Sequence, residues 1–135
     1  MKVLRIVADV ATSDPKAAQR FYQEVLGLEL LMDLDWIVTY GSREKMSVQI
    51  SFASEGGSGA ATPDLSIEVD DLDDALSRVN KAKLAIEYGP VDEPWGVRRF
   101  FVRDPFGNLV NILAHAAAAP PPGYQRGRAR HIRED

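Results

Sequence analysis

The sequence predicts an α+β fold: two tandem βαβββ modules forming a curved sheet or half-barrel cleft, with the helices on its outer face. Three observations predict it. The order strand, helix, three strands occurs twice, over residues 1–52 and 64–115, with a Gly-rich connector at 53–63 between them. Period-2 alternation marks strands. Val48, Ile50 and Phe52 alternate with Gln49 and Ser51, and Leu65, Ile67 and Val69 with Ser66 and Glu68. Helical spacing marks one apolar face in each half, Ala18, Phe21, Tyr22 and Val25, then Leu72, Ala75, Leu76 and Val79.

The elements follow in order. Val3–Val10 is rich in β-branched residues and reads as a strand. Asp14-Pro15 opens the first helix, with Asp14 as N-cap and Pro15 where a missing N–H is harmless, and Gly27 is placed to end it. Leu28–Met32, Trp36–Tyr40 and Ser47–Phe52 are three short strands, with turns at Leu34-Asp35 and Gly41–Lys45. The connector lacks bulky residues and reads as flexible. In the second half Leu65–Val69 is a strand and Asp70-Asp71 cap the helix. Ala85–Tyr88, Val97–Val102 and Leu109–Ala114 are the remaining strands. Asp104-Pro105-Phe106-Gly107 has turn chemistry at each position: Asp bonds its own backbone, Pro presets φ, and Gly accepts positive φ.

Composition narrows the function classes. A 135-residue chain with 45% hydrophobic and 27% charged residues is one domain's worth of globular protein. No apolar run reaches the roughly 18 residues of a membrane span, and the broken run in MKVLRIVADV reads as a strand rather than a signal peptide. A formal charge of −4 gives no general attraction to nucleic acid, so neither nucleic acid nor membrane is an expected partner. With no Cys there is no disulfide, thiolate metal site or thiol nucleophile, which is compatible with a cytoplasmic location. His occurs only at 115 and 131, so a Ser-His couple lacks its parts. Gly56-Gly57-Ser58-Gly59 has no following Lys and is a linker rather than a phosphate loop. The tail, residues 116–135, is an Ala/Pro-rich spacer followed by a basic end with four Arg and no amphipathic period.

Pairing two such modules encloses a cleft between their polar-leaning faces, and alternation places Arg5, Gln49, Asp64, Ser66, Glu68 and Asn111 on them. The same positions fit outward-facing, solvated sites of half-buried sheets. Trp36, Tyr40, Trp95 and Phe101 are candidates to stack on a planar ligand. Trp36 also suits a core strand, whereas the loop around Trp95, stiffened by Pro94 and followed by Gly96, suits a cleft rim. Arg98 or Arg99 is placed to steer an anionic or carbonyl group, and only one of two adjacent strand residues can face the cleft.

Residues 1–114 resemble the vicinal-oxygen-chelate superfamily, which includes glyoxalase I, extradiol dioxygenases and bleomycin resistance proteins. Phe21-Tyr22-Gln23-Glu24-Val25-Leu26-Gly27-Leu28, the junction Glu68-Val69-Asp70-Asp71-Leu72, and Asp104-Pro105-Phe106-Gly107-Asn108 carry the resemblance, in that order. Pro94-Trp95-Gly96-Val97-Arg98 most resembles the bleomycin resistance branch. The resemblance implies a homodimer, sometimes with exchanged arms. It also implies that the usual metal-ligand positions hold Arg5, Gln49, Asp64 and Asn111 here. Arg is not a ligand at ordinary pH and neutral amides are weak ones, so no metal and no other cofactor is expected. A carboxylate-only set of Asp64, Glu68 and Asp9 is the alternative, and an Arg5–Asp64 ion pair would sit where the metal does elsewhere. The resulting expectation is a metal-independent protein that sequesters an antibiotic or metabolite. The ligand-binding residues would be Trp95, Arg98, Trp36, Tyr40, Arg5, Gln49, Asp64 and Asn111. Two alternatives stand: a glyoxalase- or dioxygenase-like enzyme (lyase, isomerase or oxidoreductase) with a divalent metal, and a protein-interaction module working through the tail.

Overall fold

The computed structural model describes residues 2, 4, 5, 7–46 and 49–115. The chain divides into two compact units, the first ending at Ser51 and the second beginning at Phe52. The tail expectation lies outside the described residues. No helix among them is long and apolar enough to cross a membrane.

In the first unit a helix opens as a 3-10 turn, Pro15–Ala18, and continues in wider π turns, Gln19–Val25. Pro15 stands in the first helical turn as expected, but the Asp14 side chain caps nothing. Its own N–H donates to Thr12 Oγ1 at 3.0 Å instead. Phe21 and Val25 are buried, and Gly27 ends the helix at φ 73°, the left-handed conformation that a Cβ disfavours. β1 (Glu29–Asp33) and β2 (Val38–Gly41) form an antiparallel hairpin, with Asp35 at φ 69° in the turn. The strands expected at Val3–Val10 and Ser47–Phe52 are a correction: their described residues carry no strand. Alternation and β-branching report which residues suit a pleated, half-buried surface, not whether a strand pairs there. Leu4, Val7, Ile50 and Phe52 are accordingly exposed.

The second unit is a four-stranded sheet built from β3 (Leu65–Glu68), β4 (Ile86–Asp92), β5 (Val97–Arg103) and β6 (Leu109–His115). Its order is β3-β6-β5-β4, parallel between β3 and β6 and antiparallel elsewhere. The parallel pair requires a crossover, which α1 (Leu72–Lys81) supplies. Asp71 caps α1 by accepting from the Asp74 N–H at 3.0 Å, and Asp73 and Asp74 suit the positive end of the helix dipole. Leu72, Ala75 and Val79 are buried, and α1 packs against β6. Alternation assigns Phe100, Val102, Val110 and Ile112 to one sheet face; each is buried, stabilising the fold by roughly 1.5–3 kcal/mol per side chain. The opposite face carries Val97, Arg99, Phe101, Asn111 and Leu113. This face holds the buried polar residues Arg99 and Asn111.

The β5–β6 turn fixes the register of that face. Asp104 Oδ1 accepts from the Phe106 N–H at 2.9 Å and the Asn108 N–H at 2.8 Å, Oδ2 accepts from Asn108 Nδ2, and Gly107 takes φ 83°. Phe101 is thereby paired with Asn111 and Arg99 with Leu113. Beside the same turn, Asp64 ties β3 to β6: its N–H donates to the Leu109 carbonyl at 2.8 Å and its Oδ2 accepts from the Leu109 N–H at 2.7 Å.

Candidate functional site

The site is organised around Arg99, which is 1% exposed in the middle of β5. A guanidinium cannot shed its charge, so burial requires a partner and a full set of acceptors. Glu93, at the turn between β4 and β5, provides both. Its Oε2 lies 2.6 Å from Arg99 Nη2 and accepts from Arg99 Nε at 2.7 Å. Arg99 Nη2 also donates to the Gly57 carbonyl at 3.3 Å. Three rings surround the guanidinium, with centroids 5.3 Å (Tyr88), 5.1 Å (Trp95) and 4.9 Å (Phe101) from Cζ, within the range of cation–π attraction.

Glu93 is a hub in its own right. Besides Arg99 it accepts from Tyr88 Oη and Ser58 Oγ, both at 2.8 Å. Burial alone pushes its carboxyl up. Hydrogen bonds from Tyr88, Ser58 and Arg99, with the Arg99 charge, outweigh this and hold it below the usual carboxylate range. The local backbone explains how a loop residue reaches inward. The Glu93 N–H donates to the Val97 carbonyl and the Gly96 N–H to the Glu93 carbonyl, closing a tight turn with Gly96 at φ 93°. Trp95 rides on that turn, partly exposed, with its Nε1 buried and unpartnered.

The connector is fastened to this cluster. The Gly56 N–H donates to the Ala60 carbonyl and the Ala60 N–H to the Gly57 carbonyl, and Glu55 accepts from the Gly59 N–H. Gly57, at φ 87°, presses against Trp95 so closely that a Cβ there would lie 2.8 Å from Cη2 and 3.2 Å from Arg99 Nη2. Ser58 then bonds Glu93. Two long-range hydrogen bonds, from Ser58 to Glu93 and from Arg99 to Gly57, hold a segment that composition alone reads as flexible.

From Arg99 the face continues through Phe101 to its cross-strand partner Asn111, which is 1% exposed. Asn111 Nδ2 donates to Ser66 Oγ at 3.1 Å, and its Oδ1 has no partner. A buried acceptor without a partner is a place where an exogenous donor would be stabilising. Beyond it, His115 Nδ1 lies 3.0 Å from Glu68 Oε2. One imidazole and one carboxylate fall short of the three or more protein donors a transition-metal centre uses. Among the described residues no group of three or more His, Cys, Asp or Glu is gathered for a cation.

The sequence-expected residues distribute as follows. Trp95 and Asn111 share this face, joined through Arg99 and Phe101. Arg98 lies on the opposite face, half-exposed and 3.5 Å from Asp92. Asp64 is engaged in holding β6. Arg5 is exposed and Gln49 half-buried in the first unit. Trp36, 75% exposed, sits at the β1–β2 turn. Tyr40, half-buried on β2, has its phenol pushed up by burial and then by the Asp33 charge. Sequence reasoning missed Glu93, Ser58, Gly57 and Tyr88. Arg99 was within reach: the Asp104–Asn108 turn sets a register in which Arg99 shares a face with Asn111.

The family model for the Glyoxalase/Bleomycin resistance protein/Dioxygenase superfamily matches residues 3–112. Solved structures with the same fold include a member of that superfamily from Sphaerobacter thermophilus (TM-score 0.61, 22% identity, covering 84% of this chain and 98% of that one). Another is TnmS3, an antibiotic binding protein from a Streptomyces species (TM-score 0.58, 24% identity, 79% and 91%). A third is a lactoylglutathione lyase from Agrobacterium tumefaciens (TM-score 0.52, 24% identity, 75% and 85%). No curated protein sequence matches the chain. With the three quoted segments in order, the α+β sheet of the second unit and a family match spanning most of its length, this chain belongs to the Glyoxalase/Bleomycin resistance protein/Dioxygenase superfamily.

Proposed function

We propose that this chain is a metal-independent, cytoplasmic binding protein that sequesters a small organic molecule, an antibiotic or related metabolite, on the face carrying Trp95, Arg99, Phe101 and Asn111. The observation that carries the reading is the pairing of a partly exposed indole, stacked on an immobilised guanidinium, with the orphan Asn111 Oδ1 along the same row. Aromatic stacking with a few fixed polar groups is how concave small-molecule sites gain affinity and orientation. The fold match to TnmS3 supports this choice of ligand class. We expect a homodimer, the assembly the family resemblance implies. The exposed apolar residues of the first unit, among them Leu30, Met32 and Trp36, give a second copy something to cover.

One observation favours a second reading. The His115–Glu68 pair has the geometry of an oriented acid–base couple, and the lyase among the structural neighbours is an enzyme. Metal dependence and turnover separate the two readings. Calorimetric titration of metal-stripped protein with Mn²⁺, Fe²⁺, Ni²⁺ and Zn²⁺ should show no stoichiometric heat, and a panel of aromatic antibiotics should quench Trp emission without product. One metal per chain, or product formation, would replace the binding reading with the enzymatic one.

A further inference from the structure

The Trp95 end of the site holds a buried cation, yet it carries no net charge, because Glu93 is locked against Arg99 at 2.6 and 2.7 Å. Arg99 therefore has no free charge to offer an anionic group. Among the described residues every donor drawn to Glu93 (Arg99, Tyr88 and Ser58) is committed inward. We propose that Glu93 is the specificity-determining residue of this site: by cancelling Arg99 it restricts the ligand part that stacks on Trp95 to uncharged groups. The inference rests on the binding reading above and adds the ligand's charge class to it.

Three features carry it. First, the pair is buried, with side chains 2% and 3% exposed, so solvent does little to screen whatever charge it presents. Second, Trp95 lies directly over the guanidinium, 5.1 Å from its Cζ, so a ring stacked on the indole is within range of any uncancelled charge. Third, the connector completes the enclosure, Gly57 accepting from Arg99 and Ser58 donating to Glu93. The adjacent Arg98, 41% exposed, is turned to the other face and lies 3.5 Å from Asp92, so it brings no charge to the indole either.

The test uses two isosteric probes, 2-naphthamide and 2-naphthoate, titrated into ¹⁵N-labelled full-length protein. The chain has two Trp and hence two indole N–H signals, which Trp36→Phe assigns. In the wild type the amide should shift the Trp95 signal and bind about tenfold or more tightly than the carboxylate. Glu93→Gln keeps an acceptor but uncovers Arg99, and the affinity ratio should move about tenfold toward naphthoate. Glu93→Gln combined with Arg99→Gln removes both charges and should restore the amide preference. A merely structural role for Glu93 would weaken both probes alike and leave the ratio unchanged, which overturns the proposal. Equal or tighter binding of naphthoate by the wild type overturns it without any variant, should Glu93→Gln fail to fold. Binding that shifts signals away from Trp95 overturns the assignment and leaves the binding reading standing; binding of neither probe overturns the assignment, while the antibiotic panel decides the reading separately.

Discussion

The two units begin from the same written pattern and end differently. The second pairs four strands, buries a helix face against them, and folds an ion pair into its polar face. Among its described residues the first pairs two strands and leaves Leu30, Met32, Trp36 and Met46 exposed. The difference lies in what satisfies the backbone and the charges. In the second unit the Asp104 turn fixes one register, Asp64 ties β3 to β6, and Glu93 answers Arg99, so these three polar commitments have partners inside the unit. In the first, ion pairs such as Arg43–Glu29 lie at the surface, with side chains 89% and 49% exposed, where solvent already solvates both ends. Alternation predicts where strands can form. Interior polar partners decide which of them are held.

The comparison is broken most severely at Arg99. Glu93→Ala leaves a buried guanidinium unpaired and should destabilise the chain by about 3–5 kcal/mol. Arg98→Ala, one residue away on the opposite face, removes a half-exposed pair and should change stability by less than about 1 kcal/mol. Urea denaturation followed by circular dichroism measures both. Similar losses for the two variants would mean that the enclosure of Arg99 adds nothing to the second unit's stability.

The connector gives the next largest effect, and it contrasts two glycines in one loop. Both require left-handed backbone, at φ 87° and 78°. Only at Gly57 would a Cβ also strike Trp95 and Arg99; at Gly59 it meets nothing within 4 Å. Gly59→Ala should therefore cost about 1 kcal/mol, the penalty of the backbone conformation alone. Gly57→Ala should cost about 1–3 kcal/mol more, the range for overpacking, and should shift Trp95 emission in a Trp36→Phe background. An unchanged emission would show that the connector does not press on the indole.

How much of this was legible from sequence follows from the range of the signals. The helix at Leu72–Lys81, the strands of the second half and the Asp104–Gly107 turn all rest on local periodicity or turn chemistry, which reads directly. Trp95 and Asn111 were reachable from a loop context and a strand parity. Arg99 needed one more step, carrying Asn111's face across the hairpin. Ser58 and Gly57 were not reachable, because their roles depend on pairings 35 and 42 residues apart that no period encodes, and Glu93 was missed because its pairing with Arg99 runs through an irregular turn. A Gly-rich stretch reads as flexible because composition reports backbone freedom. The Cβ-free surface that lets Gly57 sit against Trp95 is the same property put to the opposite use.

The smallest effect, and the one that separates the units most cleanly, is their response to pH. The Glu93 carboxyl is held below its ordinary value near 4.3 by its hydrogen bonds and by Arg99, against the upward push of burial. At pH 5–8 it is ionised in both folded and unfolded chain, and its stabilisation is fully present. As pH falls below about 4 the unfolded chain takes up a proton that the folded one refuses, and the contribution declines. Tyr40 has the opposite sign. Burial and Asp33 raise its phenol above the ordinary value near 10, so the folded chain retains a proton that the unfolded chain releases, and stability falls as pH rises beyond that point. Urea midpoints measured from pH 3 to 11 should therefore lose an acid-limb component in Glu93→Gln and an alkaline-limb component in Tyr40→Phe, each leaving the other limb intact. Trp95 emission should track the acid limb and Trp36 emission the alkaline one, in the corresponding single-Trp variants. If both indoles respond together on both limbs, the two units unfold as one cooperative body and the contrast between them belongs to the native structure alone.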